Sequence, residues 1–416
     1  MSYKIKRLDD FGRGITFVDD KICFVFNGLI GEEVELLITN EKSKYKEAET
    51  TKIIEESKIR EKPICPYYNV CGGCNLMHMS YSEQLNFKKQ KVERILSKYA
   101  KLDNVVKEII STKPFNYRNK VTLKVKDGKI GYFKNKSYEL VNIDKCLLCD
   151  EKISEVINIL NNINLTGINE IVIRCNYEKE ILLYLIGNIE DENYILEKLS
   201  DINNIVINDY NSVKVLKGNS YIIDKIGDMS FRISYNSFFQ VNKTGVKILY
   251  DKIVQYANLT NEEKVLDLYC GTGTIGMYLA KYSKEVFGIE INKNAIEDAI
   301  YNKELNNVNN IDFLCSDINK LKSTYKDTDL IVLDPPRSGL NLEVISTLLD
   351  INSKKIIYVS CEPITLARDL NILKDYYNVK EITLVDMFPN TYHVECVCLL
   401  MKKKDNCQIV CVDTNK

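Results

Sequence analysis

The chain has 416 residues, of which 45% are hydrophobic and 28% are charged, and its net charge at pH 7 is −1. This length predicts about three domains, and this composition is that of a globular protein rather than a disordered one. The sequence has no apolar run of the roughly 18 residues that a membrane span needs, and its N-terminus lacks the apolar stretch of a signal peptide. We therefore expect a cytoplasmic protein without membrane segments, whose 14 cysteines serve metal binding or catalysis rather than disulfides.

Basic residues are concentrated in one part of the chain. Residues 61–145 contain 17 Lys and Arg against 8 Asp and Glu, which gives a net charge of +9. Residues 1–60 contain 11 against 12, and the remainder of the chain contains 29 against 38. A basic block on a nearly neutral chain indicates a local phosphate-binding surface, for which a solvated lysine-rich face is the alternative.

The first predicted domain is a small antiparallel β-barrel over residues 1–60. Short stretches such as "KICFVFN" and "EEVELLITN" alternate apolar and polar residues, and glycines separate them. The pattern "GRGI…FVFNGLIGEEVELLI" resembles the TRAM domain, an OB-like module that binds RNA. A barrel with a purely structural role is the alternative.

The second predicted domain, residues 61–236, is an α+β domain that begins with a cysteine cluster. The stretch "CPYYNVCGGC" carries Cys65, Cys71 and Cys74, and "DKCLLCD" carries Cys146 and Cys149 further on. Three thiols within ten residues predict a metal site, and four thiolates suit zinc or an iron–sulfur cluster equally well. A helix-like segment, "SYSEQLNFKKQKVERILSKYA", and a series of short strand-like runs follow.

The third predicted domain, residues 237–416, is an open Rossmann-like α/β sheet with helices on both faces. Helix-like segments alternate here with seven apolar runs. These runs are "KVLDLY", "EVFGIE", "IDFLC", "DLIVLD", "KIIYVS", "EITLVDMF" and "VECVCLLM". The whole chain is therefore predicted to be a multidomain α/β protein.

A nucleoside-type cofactor site is predicted in the first part of this sheet. In "VLDLYCGTGTIG" a strand leads through Gly271 and Gly273 into a helix, so the backbone can approach a ligand closely. Glu290 ends the next strand, where an acid can hold ribose hydroxyls, and Asp317 ends the third, where it can sit at an adenine. The order D-x-x-C-G-x-G resembles S-adenosylmethionine methyltransferases, and unrelated loop carboxylates are the alternative. The predicted cofactor-binding residues also include Tyr269, Thr274 and Asp334.

Three further segments fall at strand ends of the same predicted sheet, the last of them in the final hairpin. They place Asp334 in "IVLDPPRSGL", Cys361 in "YVSCEPITLARDL" and Glu395 in "MFPNTYHVECVCLL". Ligands of such sheets bind at the strand ends, and a thiolate and a carboxylate there can act as nucleophile and base. The alternative for Cys361 is a small buried core residue.

These motifs together resemble the RNA uracil-C5 methyltransferase family over almost the whole chain. The quoted motifs are "CPYYNVCGGCNLMHMSYSEQLNFKKQKV", "DPPRSGL", "SCEPITLARDL" and "DMFPNTYHVE". The resemblance implies that Cys361 adds to carbon-6 of the uracil, that Glu395 removes the carbon-5 proton, and that Asp334 lies between cofactor and target base. It further implies that Gln240, in "SYNSFFQVN", contacts the methionine part of S-adenosylmethionine.

The resemblance also implies the metal and the RNA. The metal is a 4Fe-4S cluster held by Cys65, Cys71, Cys74 and Cys146, with Cys149 as a spare thiol. The substrate is a flipped uridine of 23S ribosomal RNA, because the TRAM-like domain and the cysteine cluster mark the ribosomal branch. A transfer-RNA 5-methyluridine enzyme is the alternative, and a non-catalytic RNA-binding or redox-sensing protein is the competing hypothesis. We expect a monomer with no obligate protein partner.

Overall fold

A computed structural model describes residues 1–135, 137–321 and 325–403, and these contain eight α-helices and four β-sheets. The end of the third predicted domain, residues 404–416, lies outside this range. Within it, none of the helices has both the length and the apolar character to cross a membrane.

The N-terminal sheet has six strands in the order β1-β5-β6-β4-β3-β2. The strands are β1 Ser2–Lys4, β2 Arg7–Leu8, β3 Gly14–Val18, β4 Lys21–Phe26, β5 Glu33–Glu41 and β6 Tyr45–Glu55. The alternating pattern buries Cys23, Val25, Val34 and Ala48 on one side. All neighbouring strands are antiparallel except β4 and β6, which run parallel because β6 returns beside β4 after its hairpin with β5.

The next segment belongs with the C-terminal part of the chain. Helix α1, Tyr81–Ile95, continues into a π-helical turn, Leu96–Ala100, and strand β7, Val106–Ile110, follows. Apolar residues of all three pack in one core with residues beyond position 260. The sequence analysis assigned this segment to the central domain, whereas β7 pairs with the C-terminal sheet. A short apolar run does not reveal which distant strand it will pair with.

The central sheet has seven strands in the order β10-β9-β8-β11-β12-β13-β14, and a separate hairpin follows it. The sheet strands are β8 Lys120–Lys126, β9 Lys129–Phe133, β10 Leu140–Asn142, β11 Ile168–Cys175, β12 Ile181–Gly187, β13 Asn204–Asn208 and β14 Val213–Lys217. The helices are α2 Glu151–Leu160 and α3 Glu192–Lys198, and the hairpin strands are β15 Tyr221–Ile226 and β16 Met229–Ser234. Apolar side chains of α2 and α3 pack on this sheet in a single core.

The C-terminal sheet contains all seven predicted strands, with β7 added at its edge, in the order β19-β18-β17-β20-β21-β23-β22-β7. Its strands are β17 Lys264–Leu268, β18 Glu285–Glu290, β19 Ile311–Cys315, β20 Leu330–Leu333, β21 Lys355–Ser360, β22 Tyr377–Val385 and β23 Glu395–Lys402. Its helices are α4 Gly245–Ala257, α5 Thr274–Ala280, α6 Lys293–Leu305, α7 Leu342–Ile351 and α8 Pro363–Leu373. The mixed α/β architecture is therefore confirmed.

The strand order of this sheet reverses between β17 and β20. The chain runs from β17 outward through β18 to β19 and then crosses back to place β20 on the other side of β17. Strands β17 to β21 are parallel, whereas β23 is antiparallel to β21. In open α/β sheets, ligands bind outside the carboxyl ends of the strands at such a switch point. The predicted site residues lie at this same edge of the sheet.

Candidate active site

Cys361 lies on a tight turn between a buried strand and a helix. Strand β21 ends at Ser360 and helix α8 begins at Pro363, a residue suited to the first turn because its missing N–H has no helical partner there. The side chain of Glu362 caps the helix by accepting from the Ile364 N–H. Cys361 is partly exposed, whereas Cys396 and Cys398 of the neighbouring strand are fully buried. The thiol is thus held at the sheet edge, where a ligand can reach it.

Asp334 and Glu395 reach the same edge from the neighbouring strands. Asp334 directly follows β20, which runs parallel to β21 with Leu333 opposite Tyr358. Glu395 begins the antiparallel strand β23, in which Cys396 lies opposite Ser360. The ends of the parallel strands β20 and β21 and the start of the antiparallel strand β23 therefore lie side by side at one edge of the sheet. This brings together the three predicted catalytic side chains, which are far apart in the sequence.

Electrostatics link these groups to one another. Burial, Glu395 and Asp334 raise the pKa of Cys361 to about 12, and Arg337 acts in the opposite direction through its charge and a hydrogen bond to the thiol. Burial raises the pKa of Asp334 to about 7. Burial and the Asp334 carboxylate hold the pKa of Glu395 well above its usual range. Glu395 is only 4% exposed, and its Oε2 atom has no partner among the described residues.

Arg337 is a site residue that the sequence analysis missed. It lies in the quoted "DPPRSGL" motif, three residues after Asp334, and its side chain is exposed. Because a guanidinium cannot be deprotonated, it is a permanent cation beside the thiol and favours the thiolate. His393 packs against the rings of Tyr392 and Phe388, and burial together with Arg337 lowers its pKa to about 3, so this imidazole is neutral.

The opposing effects of Arg337 and Asp334 predict opposite changes in thiol reactivity. At pH 8 we expect Arg337→Gln to slow iodoacetamide alkylation of Cys361 about threefold or more, and Asp334→Asn to accelerate it similarly, because only the thiolate reacts. In the wild type the rate should rise about tenfold per pH unit below the pKa of about 12. Peptide mass spectrometry measures the rate, and the exposed Cys315 of the same sample is the reference. Changes of equal sign in the two variants would contradict this description of the site.

The glycine turn after β17 forms a backbone cradle. Gly271 has a φ of 53°, and a Cβ added there would meet no atom within 4 Å. Gly273 has a φ of 82°, and a Cβ there would lie 2.5 Å from the Phe313 ring. Tyr269 also adopts a positive φ, 62°, which costs a non-glycine residue about 1–3 kcal/mol and is typical of functional sites. The turn therefore exposes its backbone to an open space at the start of helix α5.

The other predicted cofactor residues surround this cradle or follow the neighbouring strands. Glu290 accepts from the Gly271 N–H at 3.3 Å, so its carboxylate is held against the turn. Thr274 shares a 2.6 Å hydrogen bond with Tyr250. Asp317 accepts from the Asn319 N–H at 3.0 Å beyond strand β19, and Gln240 is buried ahead of helix α4. This set combines an open backbone turn with carboxylates at two strand ends, which fits a nucleoside cofactor.

Asp267 is a second residue that the sequence analysis did not single out. It is fully buried in β17, and its Oδ2 atom accepts from the Gly276 N–H at 2.8 Å. Its Oδ1 atom has no partner among the described residues, and burial raises its pKa to about 8. An acid inside an otherwise apolar strand was the signal in the sequence. Asp267 anchors the first turn of helix α5 beneath the cradle.

The predicted metal-binding thiols line one cavity. Cys65, Cys71, Cys74 and Cys146 share it with Arg118 and Tyr132. Cys149 is fully buried behind it, and its hydrogen bond lowers the pKa of Cys146 to about 6. Across the described residues, however, no three His, Cys, Asp or Glu side chains form a group that could hold a metal ion. The four thiols therefore share one cavity, but they do not form a recognisable metal site.

The cysteine loop and helix α1 support the segment that leads to Glu395. The N–H groups of Asn75 and Leu76 both donate to the Asn390 carbonyl, at 3.0 and 3.1 Å. Lys88 forms a fully buried ion pair with Asp386 at 2.6 Å. We name residues 386–394 the hairpin loop, because they connect β22 to β23. The hairpin loop is thus fixed by residues that precede it by about three hundred positions.

The sheet, the glycine cradle and the acids at the strand ends define an S-adenosylmethionine-dependent methyltransferase that also carries a thiol at its active edge. The family described as tRNA (uracil-5-)-methyltransferase matches residues 80–403. The chain belongs to this family and is an RNA uracil-C5 methyltransferase. The competing hypothesis of a non-catalytic protein is thereby set aside.

Similar proteins cover nearly the whole chain. An uncharacterized RNA methyltransferase of Clostridium tetani is 37% identical over 94% of this chain and 93% of its own length. One of Oceanobacillus iheyensis is 36% identical over 95% of both. The solved tRNA (uracil-54, C5)-methyltransferase of Pyrococcus abyssi, in complex with S-adenosyl-L-homocysteine, is 30% identical with a TM-score of 0.78, covering 96% of this chain and all of its own.

Proposed function

We propose that this enzyme methylates carbon-5 of a uridine in 23S ribosomal RNA through a covalent bond between Cys361 and carbon-6 of the base. The observation that carries the proposal is the juxtaposition at one sheet edge of a partly exposed thiol, its guanidinium partner Arg337 and a buried Glu395 with a free carboxylate oxygen. A flipped uracil would supply the missing partner of that oxygen.

The proposed chemistry requires a nucleophile and a base. Carbon-5 of uracil is too weak a nucleophile to accept a methyl group unaided. The Cys361 thiolate adds to carbon-6, and the electron pair of the C5–C6 double bond moves into the ring as an enolate. S-adenosylmethionine, when bound, supplies the electrophilic methyl group that carbon-5 takes up. Glu395 then removes the carbon-5 proton, the C5–C6 double bond re-forms, and the thiolate leaves.

The surroundings of each group suit its proposed role. Arg337 stabilises the Cys361 thiolate, which is both the attacking and the leaving group. Burial makes Glu395 a stronger base than an exposed carboxylate, because its ionised form is poorly solvated. Asp334 would lie between cofactor and target base. We assign cofactor binding to Asp334 and to Gln240, Tyr269, Gly271, Gly273, Thr274, Glu290 and Asp317.

We further propose that the N-terminal sheet is a TRAM-like barrel that binds the RNA together with the basic residues of positions 61–145. Two exposed aromatic side chains, Phe11 and Phe17, support this assignment. Arg13 lies 5.6 Å from the Phe11 ring, and Lys6 lies 5.6 Å from the Phe17 ring. Exposed aromatic faces suit the stacking of unpaired bases, and Lys6 is a cation that can neutralise a phosphate, whereas Arg13 already pairs with Asp9 and Glu47.

Transfer RNA is the second candidate substrate, because the similar enzyme of Pyrococcus abyssi acts on tRNA and spans the same length. The family resemblance of the N-terminal segment and of the cysteine cluster is what favours 23S ribosomal RNA over this candidate. The test is nucleoside mass spectrometry of 5-methyluridine in 23S ribosomal RNA and in transfer RNA from a deletion strain. Loss of the nucleoside from 23S RNA alone supports the proposal, and loss from transfer RNA alone replaces it with the second candidate.

We also propose that Cys65, Cys71, Cys74 and Cys146 hold a 4Fe-4S cluster. In a tetrahedral zinc site the four sulfurs approach one another to about 4 Å. In a cluster each thiolate binds a different iron, so the thiols stand farther apart around a larger core. The observation that supports a site for such a cluster is that all four thiols line one cavity. The cluster would connect the cysteine loop to the segment of Cys146.

Replacing Cys146 and Cys149 separately should distinguish a ligand from a neighbour. We expect Cys146→Ala to lose the brown colour and most of the iron of anaerobically purified protein, because one of four ligands is removed. Cys149→Ala should keep its iron, because Cys149 is buried outside the cavity that the other thiols line. Iron and sulfide analysis measures both. If only Cys149→Ala lost its iron, Cys149 would be the fourth ligand and Cys146 the neighbour. If the wild type were colourless and contained stoichiometric zinc, the site would be a zinc site rather than an iron–sulfur cluster.

A further inference from the structure

We infer that Arg118 is a positioning residue of the cysteine cavity, whose partly buried guanidinium is the counter-charge of an anionic metal–sulfur cluster. This inference rests on the proposed cluster and concerns a residue that none of the motifs discussed above includes. It is independent of the proposed methyl-transfer chemistry, which can be assayed on the same samples.

The backbone of Arg118 is fixed to the segment that carries Cys146. Its N–H donates to the Leu148 carbonyl at 2.8 Å, and its own carbonyl accepts from the Asp150 N–H at 2.8 Å. Its side chain lines the cavity together with the four proposed ligands. These two backbone hydrogen bonds fix the position of Arg118 beside residues 148–150, so that its guanidinium lies in the wall of the cavity.

One nitrogen of the guanidinium, Nε, is not satisfied by the protein. This atom is buried and has no hydrogen-bond partner among the described residues. The ionisable groups that act on the guanidinium most strongly are Tyr117, which also forms a hydrogen bond with it, then Cys149 and Tyr132, and no carboxylate is among these three. The Tyr117 hydroxyl is itself engaged with the Pro389 carbonyl at 3.1 Å. Burying a cation with an unpaired donor is costly, so the cavity favours an anionic occupant.

A thiolate-ligated iron–sulfur cluster has the required charge. Its four thiolates outweigh the charge of the iron–sulfide core, and its reduced form carries one more negative charge than its oxidised form. A partly buried cation next to it stabilises both forms and stabilises the reduced form more, which raises the reduction potential. Lys145 lines the same cavity but is exposed, so solvent and salt screen its charge. It is the matched control for Arg118.

The test compares anaerobically purified wild type with Arg118→Gln, Arg118→Lys and Lys145→Gln. Two quantities are measured on each: the rate at which a chelator removes iron, and the midpoint potential of the cluster by spectroscopic titration. In Arg118→Gln we expect iron loss to be at least tenfold faster. We also expect the reduced-to-oxidised ratio at a fixed potential to fall about tenfold, which for a one-electron couple is a midpoint lower by about 59 mV. Arg118→Lys should be close to the wild type in both iron loss and midpoint potential, and Lys145→Gln should not differ from the wild type in either.

Each outcome decides the inference. If Arg118→Gln purifies without a cluster while Arg118→Lys retains one, the requirement for a positive charge is upheld. If both Arg118 variants lose the cluster, or if Arg118→Gln behaves like Lys145→Gln in both measurements, the inference is overturned. A wild type without iron and sulfide overturns this inference together with the proposed cluster. Methylation of RNA by that same wild type would leave the proposed function standing.

Discussion

Replacing Cys361 by alanine is expected to abolish methyl transfer, with a fall in kcat/KM of about 10⁴-fold or more. Without the thiolate no bond to carbon-6 forms, and carbon-5 stays too weakly nucleophilic to take the methyl group. Incubation with RNA that contains 5-fluorouridine should trap wild-type enzyme as a heat-stable complex, because the fluorine at carbon-5 cannot leave as a proton. The Cys361→Ala enzyme should form none. Gel electrophoresis detects the complex, and nucleoside mass spectrometry measures turnover.

The matched control for this experiment is Cys23→Ala. Cys23 is packed in the core of the N-terminal sheet, so the variant also removes a thiol but leaves the sheet edge intact. It should retain turnover and form the trapped complex. Methylation by Cys361→Ala at more than one per cent of the wild-type rate would remove Cys361 from the role of nucleophile.

Glu395→Gln should stop the reaction after the methyl group has been transferred. Glutamine has nearly the shape of glutamate but cannot accept the carbon-5 proton, so the thiolate has no route to leave. We expect turnover to fall about 10²- to 10⁴-fold, while a covalent complex between enzyme and methylated RNA accumulates to near stoichiometry. Denaturing electrophoresis with a labelled methyl group measures both quantities in one experiment.

Glu381→Gln is the comparison for this second variant. Glu381 lies on the neighbouring strand β22 opposite Leu399, and it is partly exposed. It should turn over normally without accumulating the complex. If Glu395→Gln turned over slowly but never accumulated a methylated complex, Glu395 would act before methyl transfer, and another group would have to remove the proton.

Much of the C-terminal fold could be predicted because its signals are local. Each buried strand is a short apolar run, and "CGTG" marks a turn in which Gly271 and Gly273 both have a positive φ and in which a Cβ at Gly273 would collide with the Phe313 ring. The convergence of Asp334 and Cys361 followed from the rule that parallel strand ends meet at one edge. Glu395 reaches the same edge because it begins the antiparallel strand β23. The pairing of β7 with β22 could not be predicted, since it depends on a partner more than two hundred residues away.

Three residues were not singled out because their roles depend on their surroundings, although two of them, Arg337 and Asp267, lie inside quoted motifs. Arg337 follows two prolines in a quoted segment, but only the structure brings its guanidinium to the Cys361 thiol. Asp267 and Arg118 are conspicuous because a buried polar atom lacks a partner. Whether a polar atom is satisfied is a property of the folded packing, and composition, periodicity and spacing carry no information about it.

The buried pair of Lys88 and Asp386 has a consequence for how the protein is made. The two residues are 298 positions apart, so helix α1 leaves the ribosome long before the hairpin loop is synthesised. Until then Lys88 has no carboxylate to pair with and must stay in water. Strand β21 likewise lacks its neighbour β23. Contacts between residues so far apart in the sequence slow folding, because the entropy of closing a long loop is lost before the stabilising contacts form. The docking of residues 386–403 would thus be a late step, and the active edge is complete only after these residues have been synthesised.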